Sequence, residues 1–128
     1  MLWTTSEVAV VSIAIVHAGF MIGELYPWEN PWIMVLVLQK WPHQLDLSDD
    51  DKHFVSMVVH NAGIYNGIVA AGLFATAFVG PVAFRIQVAL LIGGIVAGLF
   101  GFATLTRKTI VQAILGAIAL VIVIWGHV

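Results

Sequence analysis

The side chains best able to do chemistry sit in the least polar part of the chain. Residues 54–84 carry no charge, yet His60, Asn61, Tyr65 and Asn66 lie among them. An imidazole can act as acid, base, metal ligand or haem ligand. A phenol can donate a proton, and carboxamides can orient a carbonyl or an epoxide-type oxygen. His17 and Glu24, in the first apolar run, are seven residues apart and so share one helix face. With His60 they would supply a proton path or an acid–base site if the first helix packs beside the second. The candidate catalytic set is therefore His17, Glu24, Asn61, Tyr65 and Asn66. His60 is the candidate cofactor ligand, and a metal ligand only toward a haem iron. The competing expectation is that these groups hydrogen-bond between helices, because unpaired polar groups are costly at membrane depth.

Other chemistries are excluded or disfavoured. There is no cysteine, so disulfides, thiolate metal sites and cysteine nucleophiles are ruled out. Ser12 and Ser56 lack a nucleophile-elbow pattern. A zinc site needs three or four converging ligands, and only His17, His60 and Glu24 are near depth. Asp46, Asp49, Asp50 and Asp51 read as a solvated loop rather than a cation site. A net charge of −2 leaves no nucleic-acid footprint.

The elements that must position these groups are membrane helices. Hydrophobic residues make up 61% of the 128-residue chain and charged residues 9%, against about 25% charged in soluble domains. The expected fold is an all-α, integral membrane four-helix bundle forming one domain over residues 1–128. Helices are expected at about 7–26, 52–79, 82–105 and 109–126, the second beginning near 49–52. Thr5 or Ser6 is the expected first N-cap, and Ser48 with Asp51 reads as a capping box before the second helix. Pro27 and Gly80-Pro81 punctuate the pattern. Loop 27–51 contains Trp28, Trp32 and Trp41, so an interfacial segment is expected there. The first apolar run lacks a basic leader and reads as a retained helix.

Four spans leave Lys40, Lys52, Arg107 and Lys108 on one side of the membrane and Arg85 on the other. The positive-inside rule then places the long loop in the cytoplasm and both termini outside. A bacterial or archaeal cytoplasmic membrane is the expected location.

A helical wheel divides the polar stretch. Gly63, Gly67, Ala70 and Ala71 lie on the His60 side as a small-residue stripe, and Gly94, Gly98 and Gly101 form another on the third helix. The stripes could pack on each other or on a second protomer, giving a homo-oligomer. Asn61 and Tyr65 share a different face, and Asn66 lies on a third, about 120° from His60. Polar groups on several faces suggest a central position for the second helix.

These motifs resemble a bacterial membrane family, domain of unknown function 1304. The resemblance is carried by His17, Glu24 and Trp28 in the first helix and by Asn61-Ala62-Gly63-Ile64-Tyr65-Asn66-Gly67, then Ala70-Ala71-Gly72, in the second. Ala62 stands where the family pattern has Gln. Ala97-Gly98, Gly101, Ala103-Thr104 and Gln112 are similar to later family positions, though the usual Pro after the Gln is missing. The resemblance covers nearly the whole chain and implies four helices but no activity. A shorter stretch, His60, Asn66 and Gly67, resembles styrene oxide isomerase, where the His binds haem b and the ferric iron is a Lewis acid toward the epoxide oxygen. That likeness implies a haem on His60.

Three functions stay open on this reading. One is a membrane enzyme that isomerises or ring-opens a small lipophilic molecule such as an epoxide, with or without haem. The second is a non-enzymatic subunit or scaffold whose polar motif locks helix packing. The third is a small transporter. The lipid bilayer is the partner common to all.

Overall fold

A computed structural model describes residues 3–25, 48–104 and 107–128. Among these residues the chain forms four α-helices: α1 (Thr5–Leu25), α2 (Asp49–Thr76), α3 (Phe84–Thr104) and α4 (Ile110–Trp125). Short 3-10 turns, Pro81–Ala83 and Arg107–Thr109, lead into α3 and α4. α1, α2 and α3 are each long and apolar enough to cross a membrane. α4 has 16 residues, about 24 Å at 1.5 Å per residue, so it is short of a ~30 Å hydrocarbon core. The expected interfacial segment in loop 27–51, with Trp28, Trp32 and Trp41, lies outside the described residues.

Local sequence explains where the helices begin and end. α1 is capped by Thr4, not by Thr5 or Ser6 as the sequence reading expects. Glu7 N–H donates to Thr4 Oγ1 at 3.2 Å, and Thr4 N–H donates to Glu7 Oε2 at 2.7 Å. This is a capping box of Thr-x-x-Glu spacing. Ser48 and Asp51 form the second box: Asp51 N–H donates to Ser48 Oγ at 3.1 Å, and Ser48 N–H to Asp51 Oδ2 at 3.2 Å. Asp49, Asp50 and Asp51 fill the first turn of α2, where carboxylates complement the positive end of the helix. α2 stops at Thr76 rather than at 79. Its last amides fold into a turn, with Ala77 N–H on Leu73 and Phe74 carbonyls. Gly80 follows at φ 78°, a left-handed conformation that a side chain would strain.

The helices alternate in direction. α1 packs against α2 over the most extensive interface, α4 lies on the other side of α1, and α3 closes the ring on α4 with a smaller contact to α2. α2 is therefore not central, and α1 is the better buried of the two. It buries Val10, Ile13, Ala14 and His17, whereas α2 exposes Phe54, Met57, Ile64, Tyr65, Ile68 and Phe74. The apolar core joins Val10, Ile13 and Ala14 of α1 to Leu73 and Ala77, to Leu91 of α3, and to Ala119 and Val123 of α4.

The glycine stripes are filled within the chain and do not face one another. A Cβ on Gly63 would lie 2.9 Å from Leu25 Cγ, and one on Gly67 would lie 2.6 Å from Met21 Sδ, both on α1. Gly98 meets the backbone of α4, with Ala113 N 2.7 Å and Thr109 O 3.0 Å from an added Cβ. Gly93 has nothing within 4 Å. Backbone neighbours cannot rotate away, so Gly98→Ala is expected to cost about 1–3 kcal/mol. Gly93→Ala is expected to be neutral or stabilising by up to about 1 kcal/mol, through helix propensity alone. Reversible unfolding of both variants in detergent checks the pair; equal stabilities would mean that α3 and α4 are not in this contact.

Candidate functional site

His17 and Glu24 lie two turns apart on the face of α1 that meets α2. Asn66 enters that interface between them. Its neighbours Gly63 and Gly67 carry no side chain, so α2 approaches α1 closely enough for a short carboxamide to reach both groups. Asn66 Nδ2 donates to Glu24 Oε2 at 2.7 Å. Asn66 Oδ1 lies 2.8 Å from His17 Nδ1.

This geometry fixes more than distance. Asn66 Nδ2 can only donate, so Glu24 Oε2 is its acceptor, and the amide oxygen faces His17. An amide oxygen only accepts, so His17 Nδ1 carries the proton. In the neutral ring Nε2 is then the lone-pair nitrogen. It lies against Gly94 of α3: a Cβ added there would be 2.8 Å from Nε2. His17 is 2% exposed. From α4, the buried Gln112 donates through Nε2 to the Gly94 carbonyl at 3.3 Å. One layer of the bundle therefore runs Glu24, Asn66, His17, Gly94, Gln112 and touches all four helices.

Of the residues singled out from the sequence, the structure brings together His17, Glu24 and Asn66. It does not bring Asn61 and Tyr65 to them. Tyr65 is 70% exposed and Asn61 is exposed too, on the side of α2 turned away from α1. His60 is half-buried, and its Nε2 is buried without a hydrogen-bond partner among the described residues. No group of three or more His, Asp or Glu side chains gathers to hold a metal among the described residues. The residues that sequence reasoning left out of the site are Gly94 and Gln112. Gln112 had a signal, being a lone carboxamide in an otherwise apolar helix. Asn66, already in the candidate set, lies about 40° from Ala70 and about 60° from Gly63 on the wheel, at the edge of the packing stripe.

Fold and site together define a small integral membrane four-helix bundle with a part-buried His–Asn–Glu relay between α1 and α2. The sequence profile of the family described as "Protein of unknown function (DUF1304)" matches residues 11–124, and the chain belongs to that family. No curated protein and no solved structure matches it. The local likeness to styrene oxide isomerase thus rests on its short motif alone.

Gly94→Ala tests the layer. The added methyl would lie 2.8 Å from His17 Nε2, and a ring held by Asn66 in a buried slot cannot swing clear. Nitrogen-15 spectra of the histidine rings are expected to show a neutral, Nδ1-protonated His17 in the native protein. The same spectra should show that signature lost in Gly94→Ala. An unchanged His17 signal in the variant would refute the contact.

Proposed function

We propose that the protein is a non-enzymatic membrane subunit or scaffold, and that the Glu24–Asn66–His17 relay locks its helices in one arrangement. The observation that carries this reading is that both ends of the Asn66 carboxamide are already engaged, at 2.7 and 2.8 Å, beside a histidine that is 2% exposed. Each end of that carboxamide is committed to a side chain of α1, so the group is held as part of the helix contact. Helices in lipid gain no hydrophobic drive toward one another, so close glycine packing and interhelical hydrogen bonds must hold them. A fully satisfied polar network also specifies one packing arrangement. An ion path is disfavoured, because the apolar layer of Val10, Ile13, Ala14, Leu73 and Leu91 lies beyond His17.

A second reading has one specific observation in its favour. Asn66 holds His17 in the tautomer that leaves a lone pair on Nε2, as an orienting group does for a catalytic base. On that reading the chain is an intramembrane acid–base enzyme for a small lipophilic molecule, with His17 as the base in place of a haem on His60.

The two readings separate on conservative changes. Under the lock, Asn66→Ala removes two interhelical bonds and is expected to cost about 1–3 kcal/mol. Glu24→Gln keeps an acceptor for the Asn66 amide and should cost less than about 1 kcal/mol. Detergent unfolding of both variants checks this. An Asn66→Ala protein as stable as the native one would end the lock reading. If His17→Gln folds normally but loses turnover of a lipophilic epoxide that the native protein converts, the enzyme reading replaces it.

A further inference from the structure

A second site lies at the other end of the bundle, about 15 Å from His17 along α1, measured from Glu7 at 1.5 Å per residue. There the first turn of α1, the end of α2, the start of α3 and the end of α4 enclose a cleft of about 590 Å³. That volume falls within the ~300–1,000 Å³ range of small-molecule sites. The cleft is distinct from the relay, because the apolar core, including Ala77 and Val123 at the cleft itself, lies between them.

The walls define what would fit. Val121 and Phe84 give an apolar side, and Gln87, held by its Nε2 donation to the Thr76 carbonyl at 3.1 Å, gives a fixed amide. Trp125 and His127 stand at the C-terminal end of α4, with the His127 ring stacked on Phe84 at 3.8 Å and 5°. Among the described lining residues Glu7 is the one carboxylate, and none is Lys or Arg. Its cap uses Oε2 toward Thr4 N–H, while a carboxylate offers about four acceptor positions. An anionic ligand would meet that carboxylate with neither Lys nor Arg among the described lining residues to answer it. A protonated amine would meet that carboxylate beside the aromatic wall of Trp125, with its hydrocarbon part against Val121 and Phe84. Trp125 is 83% exposed, as suits a ring at the headgroup level of a membrane.

We propose that this cleft binds an amphiphile with a primary ammonium head, Glu7 taking the head and the α4 wall taking the chain. This inference is independent of the lock reading, since it uses none of the relay residues.

The test uses the full chain in phosphatidylcholine nanodiscs, with octylamine as probe and octanol and octanoate as matched controls. Binding is followed by isotope-edited spectra of the Trp125 indole. Octylamine is expected to saturate the signal, octanol to bind about tenfold more weakly for want of the charge-assisted contact, and octanoate not to bind. Glu7→Gln keeps the capping box, because Gln serves at that position, and is expected to weaken octylamine about tenfold while leaving helix content and unfolding unchanged. Val121→Trp, at a position 63% exposed, should fill the cleft and abolish binding. Octylamine binding that survives both substitutions, or octanoate binding equal to it, would overturn the proposal. Including phosphatidylethanolamine in the nanodisc separates two sources of the same chemistry. Displacement of octylamine assigns the site to a lipid headgroup, and undisturbed binding that still needs Glu7 assigns it to a free amine.

Discussion

One carboxamide organises the centre of this molecule. Asn66 must donate to Glu24 and accept from His17 at once, and every neighbouring feature follows from that demand. A carboxylate and an imidazole inside a hydrocarbon-spanning helix are costly unless each finds a partner of the right sense. An amide is suited to stand between them because it offers a donor and an acceptor on one rigid plane. The interaction ties α1 to α2 in the most extensive interface of the bundle. It also aims the His17 ring across the centre at α3, where Gly94 receives it.

The relay and the glycines are one device. A carboxamide as short as that of Asn66 can bridge two groups on the next helix only if the backbones are close. Gly63 and Gly67, one turn before Asn66 and immediately after it, provide that closeness against Leu25 and Met21. Gly98 and Gly116 do the same between α3 and α4, the latter against Ile95. The bundle thus has two tight pairs, α1 with α2 and α3 with α4, joined through the α1–α4 contact and the His17–Gly94 crossing. The seams use the small residues that lipid-embedded association requires, and they are occupied inside the chain.

Much of this was legible in the sequence. The all-α membrane class follows from composition, and the helix breaks follow from Gly80-Pro81 and the Ser48–Asp51 box. His17 and Glu24 could be placed on one face by their spacing of seven. What the wheel could not supply was the partner face. Angles around α2 place Asn66 at the edge of its stripe, but they do not say that α1 rather than α3 lies there. The short α2–α3 turn points to α3 as the chief neighbour, yet α2 buries more against α1, because the glycines of α2 fit the side chains near Leu25. Thr4 was passed over as a cap for a smaller reason. Three hydroxyl residues in a row compete for the position, and only the distance to Glu7 decides among them.

The exchange of size for polarity explains why near-equivalent residues would not serve. Gln at position 66 keeps the same amide but adds a methylene. Between backbones already in contact through Gly63 and Gly67, the longer side chain overshoots one partner or forces α1 and α2 apart. Asp keeps the length but loses the donor, which would set two carboxylates face to face at Glu24. Only a side chain with the length of Asn and the two senses of an amide meets both constraints. The same reasoning applies at Gly94, where any Cβ displaces the ring that the amide holds. The residue types at positions 66 and 94 are therefore set by the geometry of one hydrogen-bonded layer.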